Sequence, residues 1–198
     1  MNFFSYKVEH DYGLAPNPFG EYCTLAVCKP KIRKNRKLEL GDWIIGTGSK
    51  KLKKLNHLIF AMKVEGKIPF DEYWKDERFQ YKKPILNGSL VQIFGDNFYH
   101  KDEKNPQKWI QEKSAHSVVD CEKHKTKDLG GEYVLYTTTF YYFGNQAPLI
   151  PEELHEICND GRDFKYVEEN LGLKFISWLD HGFTEGLNGD PMDWSKIK

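Results

Sequence analysis

The stretch Leu40-Gly41-Asp42-Trp43-Ile44-Ile45-Gly46-Thr47-Gly48-Ser49-Lys50-Lys51 sets the reading of this chain. A Gly-Asp turn enters a short apolar run that carries a Trp, and a Gly-rich polar exit leads into lysines. A second apolar run follows, His57-Leu58-Ile59-Phe60-Ala61-Met62-Lys63-Val64. The pattern predicts two neighbouring strands. Between them, Gly46 and Gly48 permit a backbone whose N–H groups converge on an anion, with Thr47, Ser49 and Lys50 beside them and Trp43 as a ring. Such a set suits a planar anionic ligand such as a nucleotide. A P-loop is excluded, because that motif needs Lys and then Ser or Thr after its second Gly, and a long helix to receive the phosphate. An ordinary hairpin turn with solvated lysines accounts for the same residues equally well.

With 198 residues the chain can bury one substantial core, or one core with a helical appendage. Aromatic residues make up 15% of it, and such rings serve cores and ligand surfaces alike. A formal net charge of zero argues against a protein that coats nucleic acid nonspecifically. The charge is nevertheless uneven: Lys29, Lys31, Arg33, Lys34, Arg36 and Lys37 crowd one connection, whereas acids dominate beyond Pro151. No run approaches the roughly 20 apolar residues of a membrane span, and the opening Met1-Asn2-Phe3-Phe4 lacks the pattern of a signal peptide. Cys23, Cys28, Cys121 and Cys158 form no disulfide framework, so the expectation is reduced thiols in a cytoplasmic protein.

Phe3 to Val8 and Tyr22 to Cys28 read as strands, separated by a Gly- and Pro-rich loop. Ile68-Pro69-Phe70-Asp71-Glu72-Tyr73-Trp74 opens a short helix, with acids at its positive end. Residues 77 to 130 carry little regular pattern. Glu132 to Phe143, β-branched and aromatic throughout, predicts one strong strand. Pro151 to Cys158 suits a short helix, and Phe164, Val167, Leu171, Phe175, Trp178 and Leu179 predict an amphipathic helix with an irregularity at Gly172. The expectation is a single domain over 1–198, strand-rich to 145 and helical from 146.

Cations from Lys29 to Lys37 could clamp phosphates, with bases stacking on nearby rings, although a solvated charge run is the usual outcome. Cys121 and His124, with His116 nearby, fall short of the four ligands of a structural zinc site. Ser49, Ser117 and the cysteines lack a nucleophile elbow. His10-Asp11 and Asp96 with His100 could form acid–base pairs, while capping of turns explains the two aspartates more simply.

The run Asp11-Tyr12-Gly13-Leu14-Ala15-Pro16-Asn17-Pro18-Phe19-Gly20, with Cys23-Thr24-Leu25-Ala26 and Cys28-Lys29-Pro30-Lys31-Ile32-Arg33, resembles the second nucleotide-modification-associated domain family. So do Gly41-Asp42-Trp43, Gly46-Thr47-Gly48-Ser49, Phe70-Asp71-Glu72-Tyr73-Trp74, Gly95-Asp96-Asn97 with Tyr99-His100, and the tail ending at Trp194. The resemblance implies a phage or bacterial domain linked to pathways that make, or respond to, modified DNA bases, and it carries over no catalytic residues. A looser likeness of the Gly-Asp-Trp strand entry and its turn to PUA-like domains (EVE, ASCH, YTH) implies an α+β fold. That fold is a PUA-like curved mixed β-barrel with peripheral and C-terminal helices, from which the stretch Glu77 to Gly130 departs.

The leading expectation is therefore a module that recognises a modified nucleobase or nucleotide in nucleic acid. Trp43 and Tyr99 would supply the ring and Asn17 and Asn97 the edge contacts. Lys29, Arg33, Thr47, Gly48, Ser49 and Lys50 would hold phosphate. The alternative is a transferase or hydrolase acting on a modified nucleotide through Asp96, His100, His10 or Asp11, and a third option is a protein–protein adaptor. No cofactor, metal or membrane is expected, and the oligomeric state is not readable.

Overall fold

The computed structural model describes residues 1–116 and 121–197, so Ser117 lies outside the described residues. The chain forms two compact units, each assembled from separate stretches. The fold is mixed α and β, with several sheets.

The first unit comprises Met1–Tyr12, Arg36–Glu65 and Thr137–Lys198. Its six-stranded sheet runs, in order, Phe164–Val167, Phe3–Lys7, Trp43–Thr47, Leu58–Lys63, Phe140–Tyr142 and Gly186–Leu187. Phe3–Lys7 lies parallel to Trp43–Thr47, which pairs antiparallel with Leu58–Lys63 in the expected hairpin. The central strands are buried on both faces, which explains why they read as continuous apolar runs instead of alternating ones. Over the sheet packs a helix, Glu169–Gly182, started by the Glu168 carboxylate, which accepts the N–H groups of Asn170 and Leu171 at 3.0 Å.

The second unit comprises Gly13–Asn35 and Gly66–Tyr136. It has a three-stranded sheet in the order Cys23–Leu25, Tyr133–Thr137, Gly66–Pro69, and a hairpin of Tyr99–Lys101 with Trp109–Gln111. The expected helix appears as Phe70–Lys75, with Asp71 and Glu72 in its first turn. The weakly patterned stretch after it holds a 3-10 helix, Glu77–Lys82, and helices Leu90–Ile93 and Glu122–Leu129.

Three expectations change. The run Glu132–Phe143 is two strands, because Glu65 accepts the N–H of Thr138 at 2.6 Å and the hydroxyls of Thr138 and Thr139 at 2.9 and 2.7 Å. Thr137 Oγ1 also donates to Thr139 O, so hydroxyls replace the ladder there. That break sends the two halves of the run into different sheets. Among the described residues neither of these sheets closes into a barrel; each ends in two edges. The predicted helix from Phe164 also begins late, since Phe4 and Tyr6 pair with Tyr166 and Phe164 as antiparallel strand.

At Gly172 a Cβ would stand 2.3 Å from the Phe3 ring, and Phe3 is fully buried. Helix propensity favours Ala by about 1 kcal/mol, but overpacking costs about 1–3 kcal/mol. Gly172→Ala should therefore lower the unfolding midpoint, whereas Gly182→Ala, with nothing within 4 Å of its added carbon, should not. Equal midpoints in thermal unfolding would show that the helix does not rest on Phe3.

Candidate functional site

In the first unit the Gly41–Lys51 segment is structural throughout most of its length. The Asp42 carboxylate accepts the backbone N–H groups of Asn2 and Glu39 at 2.7 and 2.9 Å, closing the Gly-Asp turn. Trp43 is 5% exposed and belongs to the core. Thr47 is buried and donates to Tyr6 O, the Gly48 N–H donates to His57 O at 2.8 Å, and the Ser49 hydroxyl accepts from the N–H of Leu52. The Gly48 N–H is therefore committed to the hairpin, and of this set only Lys50 is exposed. Asp11 is likewise engaged, accepting from the Tyr142 hydroxyl and the Met192 N–H, while His10 faces Asp193 at 3.8 Å and Lys51 at 2.6 Å.

In the second unit several sequence candidates do come together, around a residue the sequence did not flag. Lys82 is 2% exposed, and its ammonium donates to Asn17 Oδ1 at 2.7 Å, Asn17 O at 3.1 Å and Phe19 O at 2.9 Å. Those are all the donors it has. Burial pulls its pKa down to about 8, partly offset by the charge of Asp96. Asp96, also buried, accepts from the hydroxyls of Thr24 at 2.6 Å and Tyr73 at 2.7 Å, and its carboxyl is pushed up by burial. Beside them the Cys23 thiol is pushed up to about 12 by the same cause, so it is inert as a nucleophile. Asn97 donates to the carbonyls of Tyr73 and Phe79 at 3.0 and 3.2 Å. Its Oδ1 has no hydrogen-bond partner among the described residues.

A second buried knot surrounds Arg33 and Asp128. Arg33 donates to Cys28 O, Tyr133 O and Asp128 O at 2.9, 2.7 and 2.5 Å, and Gly131 leaves room for its guanidinium. Burial lowers its pKa to about 10. Tyr99 donates to Asp128 at 3.1 Å and is 1% exposed. Lys29 is half-buried, with φ of 40° at the entry to the turn Pro30–Arg33. Arg33 and Tyr99 are thus joined as framework. Among the described residues no group of three or more His, Cys, Asp or Glu is placed to hold a metal ion, although His116 and His124 stack at 4.9 Å.

What the buried network supports is an accessible aromatic surface. Trp74, half-buried, stacks on His100 at 4.2 Å and 17°, and Lys83 Nζ stands 3.6 Å from its ring centroid. Both His100 nitrogens lie within hydrogen-bond reach of oxygens, Glu112 Oε1 at 3.0 Å and Lys101 O at 2.9 Å. Along the hairpin, Lys101 Nζ lies 5.7 Å from the Trp109 ring. Asn97 and Gln80 fix this surface from below, donating to Tyr73 O and Trp74 O. Asp96 and His100, the expected acid–base pair, therefore have separate partners. The sequence reading named Trp74 only as part of a longer run and singled out neither Lys82 nor Lys83, the cation that meets the Trp74 ring. A Trp-x8-Lys pairing across a 3-10 helix has no period that would expose it.

The structure offers a test of the network. Between its buried pKa of about 8 and the ordinary 10.5, folded Lys82 binds fewer protons than unfolded Lys82, so this residue adds stability as pH rises through that window. Methionine has no such gain. Lys82→Met, which strands three acceptors, should cost about 3 kcal/mol, and its deficit should widen as the pH is raised from about 8 towards 10.5. Urea unfolding at both ends of the window measures this, and a constant deficit would contradict it.

The family model described as "Nucleotide modification associated domain 2" matches residues 1–198, and the chain belongs to that family. No curated protein and no solved structure matches the chain. Among the described residues no helix is long and apolar enough to cross a membrane.

Proposed function

We propose that the chain, as a member of a nucleotide-modification-associated family, binds a nucleotide or a modified base within nucleic acid through the Trp74–His100 surface of the second unit. The observation that carries this reading is the half-buried Trp74 ring, stacked on His100 with the Lys83 ammonium 3.6 Å from its centroid. A ring beside a cation is an arrangement on which bases stack while phosphates find charge. Lys83 and Lys101 are placed to meet the backbone. Of the residues expected from sequence, His100 belongs to the contact surface, while Asn17, Asn97, Asp96 and Tyr99 position it from within.

Binding is favoured over a transferase or hydrolase because Lys82 and Asp96 are buried and hydrogen-bonded to neutral partners. A general acid or base has to reach its substrate. A PUA-like origin of the first unit stays part of the proposal; its support is the Gly-Asp-Trp strand entry and the hairpin that follows. Residence in the cytoplasm is proposed on the four free, reduced cysteines.

Trp74→Ala should weaken binding of a modified single-stranded oligonucleotide by about 1–3 kcal/mol, and Lys83→Ala should lower the salt slope by about one counterion. Fluorescence anisotropy at two salt concentrations reads both. Unchanged affinity in a folded Trp74→Ala protein would remove this surface from the proposal.

A further inference from the structure

The second unit holds another cation against rings, and there the cation is its own. The Arg78 guanidinium carbon lies 5.0 Å from the ring centroids of Phe79 and Tyr136 and 5.8 Å from that of Tyr22. The rings meet at steep angles, 67° for Tyr22 with Phe79, 80° for Tyr22 with Tyr136 and 59° for Phe79 with Tyr136. Their centroids stand 5.3, 6.0 and 5.3 Å apart, so the rings pack edge to face and line one side of an open enclosure. Asp76 completes the enclosure with a carboxylate, which accepts from Arg78 Nε at 3.1 Å and from Nη2 at 2.7 Å. The occupant is nonetheless 43% exposed and belongs to a long, flexible side chain.

Each wall is held by something other than Arg78. Phe79 is fully buried. Tyr136 lies across its strand partner Gly66, where an added Cβ would come within 2.1 Å of the ring. The backbone N–H of Tyr22 donates to the Tyr81 hydroxyl at 3.2 Å, and the Tyr81 ring fills the space beside Gly20. The enclosure thus persists if Arg78 swings into solvent.

We propose that Tyr22, Phe79, Tyr136 and Asp76 form a binding site for a planar, delocalised cation, namely a purine base made cationic by ring methylation, and that Arg78 occupies the site until the ligand displaces it. A guanidinium is itself planar and delocalised, so the geometry selects its like over a compact ammonium. The rings attract positive charge and the carboxylate, which also accepts the backbone N–H of Arg78 at 2.9 Å, balances it, a gain that a neutral purine lacks. The choice of a base as the carrier of the charge rests on the nucleotide reading above; the enclosure does not.

The test compares N7-methylguanosine monophosphate with guanosine monophosphate by calorimetric titration of the full chain. Arg78→Ala should bind the methylated nucleotide about tenfold more tightly than the unsubstituted chain, on the scale of one desolvated cation–π contact. It should leave guanosine monophosphate unchanged. Arg78→Gln, which keeps the length without the charge, should act in the same direction, and adding Tyr22→Leu to Arg78→Ala should abolish the gain. If both opened variants keep the melting temperature and bind the two nucleotides alike, or bind neither, the proposal is overturned. Should that happen while Trp74→Ala still weakens oligonucleotide binding, the enclosure fails and the nucleotide reading stands. A selective gain with Trp74→Ala silent has the opposite meaning, supporting the enclosure and removing the Trp74 surface.

Discussion

An ammonium buried without a carboxylate on it must find three neutral acceptors, and Lys82 finds all of them on Asn17 and Phe19. Leaving such a charge unmatched costs several kcal/mol. Hydrogen bonds to a charged group return about 1.5–3 kcal/mol each, so the loop is held closed only while all three are made. Asn17 N–H and O complete the arrangement by pairing with Thr24 at 2.8 and 2.9 Å, and Thr24 in turn supplies a hydroxyl to Asp96. Tyr73 supplies the other. Three stretches of chain far apart in sequence are thereby fixed to one another, and the adjoining Trp74 and Phe79 take their positions from that fixed interior.

The strands of the first unit were largely legible in the sequence. Trp43–Thr47 and Leu58–Lys63 announce themselves because a strand buried on both faces must be apolar at every position. The short helix at Phe70 was equally plain, from Pro69 before it and two acids in its first turn. Failures occurred where side chains overrode the local pattern. The aromatic run to Phe143 has the composition of one strand, and only Glu65, some seventy positions away, turns its three threonines into a break. Phe164 and Val167 sit at helical spacing from Leu171 and Phe175, yet Glu168 caps the helix after them and leaves them to the sheet.

Of the candidate site, the sequence offered polar residues but not their placement. Asn17, Asp96 and Asn97 were singled out for their chemistry, and they do converge, but as an interior in which nearly every donor and acceptor is used. Polar residues that look available in a sequence are often buried and satisfied, because a core can hold them only in that state. The reverse holds for Trp74. It reads as one more apolar residue of a helix, and its exposure depends on the 3-10 turn and hairpin that place Lys83 and His100 against it. Neither partner lies at a helical interval, so no periodic signal could have joined them.

A formal net charge of zero gives the chain no net charge with which to gather a polyanion from a distance, although its charges are unevenly placed along the sequence. At physiological ionic strength charges are screened beyond about 8 Å, so whatever selects a ligand must act in contact. Rings satisfy that requirement, since stacking needs no field and tolerates any base. Selectivity then has to come from charge on the base itself, read where a carboxylate and several rings meet. The second unit has such a place at Asp76, Tyr22, Phe79 and Tyr136, with Arg78 showing that a planar cation fits. A neutral surface with one cation-selective recess discriminates by ring charge, whereas a basic surface would bind every strand it met.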